Sequence, residues 1–212
     1  SKINSTALLD GMWMRYLPHI TKLKDLLSKN AIGKIESIFA SHGQNLKWSD
    51  NPRLWTKELG GGALLDLGIY VVSFCHMVAG SPNEILASSN FIDQGVDSKT
   101  SMIFKYNDGL IANLSCTMYD NQPNRAIISG SDGYIEIDHT FYAPTTIRLF
   151  KSNEEVVEYK NNYKGHGLRE QAICMEECVL NNQIESDKMN HKDTLAVIKI
   201  MDKVRDKIGL FF

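Results

Sequence analysis

The chain lacks an excess of charge of either sign. Its 23 lysines and arginines against 25 aspartates and glutamates leave a formal net charge of −2. That balance removes the electrostatic case for nucleic acid or for an anionic membrane surface. It also lacks an uninterrupted apolar run of about 18 residues, the length a membrane-spanning helix needs. The nearest stretch, 61–79, is broken by Asp66, Ser73 and His76. Its four cysteines, Cys75, Cys116, Cys174 and Cys178, form no C-x-x-C pair. Reduced, buried thiols in an intracellular, cytoplasmic protein are the expectation. Cys174 and Cys178 lie four apart with His166 upstream, short of the four convergent ligands of structural zinc, so no metal is expected. No signal peptide, internal repeat or low-complexity segment is visible.

What is present is ordinary in bulk and unusual in one place. At 212 residues, 43% hydrophobic and 23% charged, one globular domain with a sizeable core is the default. The unusual place is Gly60-Gly61-Gly62 running into Ala63-Leu64-Leu65-Asp66-Leu67-Gly68-Ile69-Tyr70. The glycines permit close approach of another segment or a ligand. The apolar run that follows predicts a buried helix over 60–80. Asp66 and Tyr70, four apart, then share a face. A carboxylate on a buried helix is costly without a partner. Two readings stay open: polar groups satisfied inside a core, or a site with Tyr70 as proton donor or acceptor and Asp66 orienting it. A free phenol has a pKa of ~10, so acting near neutrality would require a neighbouring cation.

Around this stretch the coarse organisation is legible. Residues 7–14 read as a short buried strand. Residues 18–27 read as an amphipathic helix with Leu17, Ile20, Leu23, Leu26 and Leu27 on one side. A strand through Ile35, Ser37 and Phe39 and a long irregular loop over 43–59 precede the glycines. Residues 83–160 read as short strands, with Asn107-Asp108-Gly109 the strongest hairpin signal. Helical stripes return through Leu168, Ala172, Met175 and Val179, then through Leu195, Ile198, Met201, Val204 and Ile208. Together they predict an α+β fold: an open, mainly antiparallel sheet of about six strands with helices on one face.

Gly-Gly-Gly-x-Leu-x-Asp-x-Gly-x-Tyr resembles the signature of the Gfo/Idh/MocA oxidoreductases. Met12-Trp13-Met14-Arg15-Tyr16-Leu17-Pro18 resembles the segment by which they leave their nucleotide-binding domain. Gly165-His166-Gly167-Leu168-Arg169-Glu170-Gln171, Ile184-Glu185-Ser186 and Met201-Asp202-Lys203-Val204-Arg205 resemble their late loop and helices. Tyrosine at position 70 makes the dihydrodiol dehydrogenase-like subgroup the nearest.

Neither the G-x-G-x-x-G nor the Glu-Lys-Pro of that family occurs here, and Gly60–Gly62 lacks the spacing of a dinucleotide fingerprint. The resemblance therefore implies a C-terminal domain. Residues 1–14 would be a remnant strand and crossover from a missing nucleotide-binding domain, and 15–212 a glyceraldehyde-3-phosphate dehydrogenase-like substrate-binding and dimerisation domain. It implies an NAD- or NADP-dependent parent acting on a sugar, polyol or vicinal diol. The absent domain would bind the cofactor and supply a lysine. Tyr70 and Asp66 would be catalytic, while Trp13, Arg15, Arg53 and His166 would bind substrate. The fragment alone would be inactive, and the assembly a homodimer through the open sheet face. A non-catalytic oligomerisation or sugar-sensing module is the alternative.

Overall fold

A computed structural model describes residues 4–49 and 51–212. Four helices, α1 (Pro18–Ser28), α2 (Ile69–Ala79), α3 (Arg169–Leu180) and α4 (His191–Ile208), accompany one eight-stranded sheet. The strands are β1 (Ile35–Gly43), β2 (Glu84–Phe91), β3 (Asp97–Lys105), β4 (Ile111–Thr117), β5 (Ala126–Gly130), β6 (Gly133–Ile137), β7 (Ile147–Lys151) and β8 (Val157–Tyr159). Their spatial order is β2-β3-β4-β1-β5-β6-β7-β8. Every pairing is antiparallel except β1 with β4. The predicted class thus stands, with eight strands in place of about six.

The sheet is two-faced because its strands alternate. Ala112, Leu114 and Cys116 of β4 point into the core, as their alternation with Asn113 and Ser115 predicts. The hairpin at Asn107-Asp108-Gly109 joins β3 to β4, with Gly109 at φ +96°. In β1 the phase is opposite to the one predicted. Ile38, Ala40 and His42 are buried, while Phe39 lies on the open face, 46% exposed. Placing β1 between β4 and β5 reconciles this, since Ile38 pairs with Ala112 and Ile128, both core residues.

Two helical stripes also need correction. In α3 the buried side chains are Cys174 and Cys178, whereas Leu168 and Val179 are more than half exposed. In α4 the stripe is Val197, Ile200, Met201 and Val204, leaving Leu195 and Ile198 outside. Residues 7–12 form no strand. They run irregularly, with the Leu8 N–H donating to the Ile184 carbonyl, and lead into a 3-10 turn at Trp13–Tyr16. Met12 and Met14 belong to the same core as the sheet. The thiols are all free and buried.

The helix predicted over 60–80 begins later and in two parts. A π-helical turn at Leu64–Gly68 runs directly into α2. The stretch Lys57–Ala79 is long and apolar enough to cross a membrane by length and composition, which corrects the reading that no such run exists. In this fold its helical part is a core element packed on β1, β4 and α4.

The register of β1 is testable. Ile38→Ala should cost about 2–5 kcal/mol, because it opens a cavity at a fully buried site. Ser37→Ala, on the opposite face, should change stability by less than about 0.5 kcal/mol. Equal losses in urea unfolding would refute the assigned phase.

Candidate functional site

The glycines shape the start of the site by close packing. A Cβ on Gly61 would stand 2.5 Å from the Leu54 carbonyl oxygen, and one on Gly62 (φ +110°) 2.3 Å from Asp97 Oδ1. The Gly62 N–H donates to the Leu54 carbonyl at 2.8 Å, folding the loop onto the 3-10 turn Pro52–Trp55. Asp97 is fully buried. Its Oδ2 accepts from the Leu64 N–H at 2.8 Å and from the Thr100 hydroxyl at 2.7 Å. Burial pushes its pKa up, against those two bonds, which favour the charged form.

Glycines ahead of a helix can cradle an anion on free N–H groups. Here the Leu64 N–H is already capped by a carboxylate, which would also repel a second anion. Gly60–Gly62 therefore do not fit a pyrophosphate.

Four segments then converge. Trp13, from the turn after the N-terminal stretch, donates its Nε1–H to the Tyr70 hydroxyl at 3.0 Å. The Tyr70 ring centroid lies 5.1 Å from His42 of β1 and 5.1 Å from Tyr142 of the β6–β7 connection. His42 and Tyr142 are 4.0 Å apart, and Trp13 meets Tyr142 edge-on at 6.3 Å. Such ring pairs stabilise beyond their buried area by about 0.5–1.5 kcal/mol each. Trp13, Tyr70 and Tyr142 are all half-buried.

Asp66 has the partner its position demands: the Arg53 guanidinium, from the loop before the glycines, pairs with its carboxylate. Tyr70 has no such cation. Burial raises its pKa most, the Trp13 bond lowers it, and Asp66 adds a smaller upward push. The phenol is therefore held protonated. Its oxygen accepts from Trp13, and among the described residues nothing accepts its proton.

The structure thus brings Trp13, Tyr70, Asp66 and Arg53 to one region. It does not bring Arg15, whose side chain is buried in a clasp of its own. Its Nη1 donates to the Ser73 carbonyl at 3.2 Å and its Nη2 to Asp193 at 3.4 Å. This ties the Trp13 turn to α2 and α4. His166 is exposed between two positive-φ glycines, and no bond or ring contact joins it to the cluster. Sequence reasoning missed His42, Gln44 and Tyr142. The one available signal was the placement of His42 and Gln44 at the start of the long loop. No group of three metal-ligating side chains occurs among the described residues.

His42 is locked in one state. Its Nδ1–H donates to the Leu67 carbonyl at 3.2 Å, so its Nε2 accepts from the Gln44 amide at 2.9 Å. Burial lowers its pKa to about 4, and the same cause takes buried His19 to about 4. A histidine whose folded pKa lies below its unfolded value of about 6.5 binds fewer protons when folded. Its contribution is complete above pH 6.5 and is lost as pH falls through 4, on the order of 3 kcal/mol for each ring. Unfolding midpoints should therefore be level from pH 7 to 8 and fall between 6.5 and 4. Proton NMR should show the His42 ring neutral at pH 5. A His42 resonance titrating near 6.5 would contradict the assignment.

Comparison with known proteins bears on the family and the fold. The GFO/IDH/MocA C-terminal domain profile matches residues 20–136, more than half of the chain. A trans-1,2-dihydrobenzene-1,2-diol dehydrogenase of Danio rerio is 32% identical over 97% of the chain and 63% of its own length. The Homo sapiens protein of that name is 27% identical over 97% of the chain and 63% of itself. The chain thus spans under two thirds of the relatives it matches. Among solved structures, KijD10, a 3-ketoreductase from Actinomadura kijaniata in complex with NADP and TDP-benzene, superposes with a TM-score of 0.83. It is 20% identical over 98% of the chain and 64% of its own. Aldose-aldose oxidoreductase from Caulobacter crescentus, complexed with glycerol, gives a TM-score of 0.78 at 19% identity over 93% and 60%. The fold is shared with both, and the chain belongs to the GFO/IDH/MocA family through its C-terminal domain.

Proposed function

We propose that this chain is the substrate-binding domain of an oxidoreductase acting on a vicinal diol, sugar or polyol, with Tyr70 as the proton-handling group. The observation that carries the reading is the Tyr70 hydroxyl, which accepts from Trp13 and whose proton has no acceptor among the described residues. Such a donor half-buried in an aromatic pocket is set to meet a substrate oxygen. The names of the relatives, dehydrogenases of a cyclic diol, favour the same substrate class. Trp13 and Tyr142 offer flat walls for a ring.

Hydride acceptance or donation is the chemistry NAD or NADP supplies. The glycines of this chain do not fit its phosphates, so the cofactor is proposed to sit on a nucleotide-binding domain outside residues 1–212. This chain's own part is narrower. Tyr70 binds the reacting oxygen and, being protonated, gives a proton to it during carbonyl reduction. For alcohol oxidation the phenol must ionise, which requires a cation that the described residues do not place beside it. A lysine from the nucleotide-binding domain would serve. Asp66, neutralised by Arg53, orders the entrance and offers a carboxylate to substrate hydroxyls. The four reduced thiols suit a cytoplasmic setting.

A second proposal concerns assembly. The open sheet face exposes Phe39, Leu86, Ile103, Ile111 and Tyr134, with Tyr134 stacked on Phe150 at 4.4 Å. A groove of about 580 Å³ crosses it between Phe39, Ile103 and Ile127. A large apolar patch on an uncovered sheet favours a two-fold partner of the same chain.

In the full-length protein, Tyr70→Phe should lower kcat by about 10²-fold or more, the range of a lost acid–base group. Near wild-type kcat on the best substrate would remove the assignment. Light scattering at tens of micromolar should give twice the 23.9 kDa chain mass, and a monomer mass would count against the sheet interface. Calorimetry should find no tight binding of NAD or NADP to this chain alone. A micromolar dissociation constant would place the cofactor here after all.

A further inference from the structure

We propose that Tyr142 is a second substrate-contacting phenol, donating to the hydroxyl of a vicinal diol that is not oxidised while Tyr70 serves the hydroxyl that is. This rests on the reading of Tyr70 above and adds a specificity-determining residue to it.

The first ground is position. Tyr142 packs in the same ring cluster as Trp13 and Tyr70, its ring 6.3 Å from Trp13 and 5.1 Å from Tyr70. Both phenols are half-buried, and their rings are in contact.

The second ground is how Tyr142 is held. The Gln44 amide donates to its oxygen at 3.2 Å. The same amide nitrogen donates to His42 Nε2 at 2.9 Å, and His42 donates from Nδ1 to the Leu67 carbonyl at 3.2 Å. Leu67 belongs to the turn that carries Asp66. A chain of three bonds thus fixes Tyr142 to the helical run of Tyr70. A neutral His42 is required, because a protonated ring could not accept from Gln44. Of this chain the Gln44 amide alone donates to the Tyr142 oxygen, and the phenol proton has no acceptor among the described residues.

The third ground is the duplication itself. A half-buried hydroxyl that accepts one bond and spends no proton calls for a partner. Two of them flank Trp13, each held by a donor from behind, Trp13 for Tyr70 and Gln44 for Tyr142. Burial pushes both phenols above their ordinary pKa, so both remain donors near neutrality. Two fixed donors beside a flat wall match a ring carrying two adjacent hydroxyls. A monoalcohol would leave one of them unpaired, and sites that bind a hydroxyl discriminate against analogues lacking it.

The test uses the full-length enzyme with trans-1,2-cyclohexanediol and cyclohexanol as probes. Tyr142→Phe should reduce the diol-to-monoalcohol preference in kcat/KM by about tenfold, the worth of one hydrogen bond, chiefly through KM for the diol. Gln44→Leu should move it in the same direction by releasing Tyr142. It also carries the test if Tyr142→Phe does not fold. An unchanged preference in a folded Tyr142→Phe or Gln44→Leu protein overturns the proposal, as does an equal decline on both probes. Failure of the wild type to turn over the diol while active on another alcohol or sugar also overturns it, and leaves the role of Tyr70 standing. Tyr70→Phe is assayed alongside: retained turnover there sinks the Tyr70 reading by itself, whatever Tyr142→Phe shows.

Discussion

The arrangement depends on a buried carboxylate at the head of a helix. Asp97 has no exposure; its Oδ2 accepts from the Leu64 N–H and Thr100, and its Oδ1 has no partner among the described residues. Burying a charge this way is costly. The N-terminal end of the helical run offsets part of that cost, since its dipole favours negative charge there. In return the run Leu64–Ala79 has a fixed starting point against β3. Gly62 must be glycine to let the carboxylate in, Gly61 to let the Leu54 carbonyl in. With the start fixed, the wide turn Leu64–Gly68 sets the direction in which Asp66, and a turn later Tyr70, leave the helix. π-helical turns of this kind concentrate at functional sites.

The central strand supplies the second constraint. β1 runs parallel to β4 and antiparallel to β5, which puts His42 at the end of β1 beneath the same turn. Its ring donates to the Leu67 carbonyl, within that turn. Sheet, helix and the β6–β7 connection therefore meet through one neutral imidazole. The aromatic cluster is assembled from positions 13, 42, 70 and 142, none adjacent in sequence.

Local signals were legible where local chemistry decides. The glycine trio, the Asp66–Tyr70 spacing, the hairpin at Asn107-Asp108-Gly109 and the alternation of β4 all survive in the structure. Phase was misread where tertiary neighbours decide it. Phe39 is the larger apolar side chain of β1, yet Ile38 faces the core because Ala112 and Ile128 flank it. In α3 the thiols of Cys174 and Cys178 go inside while Leu168 and Val179 stay out, so hydrophobicity alone chose the wrong stripe. Arg15 was assigned to the substrate because it lies where the chain would cross from one domain to another, and such crevices bind ligands. Here the Ser73 carbonyl and Asp193 take its two terminal nitrogens, while its Nε has no partner among the described residues. His42, Gln44 and Tyr142 had no mutual spacing to betray them, since their meeting is a property of strand order. The Arg53–Asp66 pair was half legible: both residues were singled out, but not as partners.

The charge distribution around Tyr70 completes the physical picture. Arg53 is the cation nearest in logic to the phenol, and it is committed to Asp66. Asp66 itself opposes ionisation of Tyr70, as does burial. Every influence within the chain except the Trp13 bond therefore keeps the proton on. A site built to oxidise an alcohol needs that proton to leave, and one built to donate a hydrogen bond does not. On the proposed reading the chain supplies a recognition surface, with two phenols and an aromatic wall, and only part of an acid–base centre. The missing element is a positive charge of fixed position beside Tyr70. That is the contribution the proposed second domain has to make, in addition to holding the nucleotide that Gly60–Gly62 cannot.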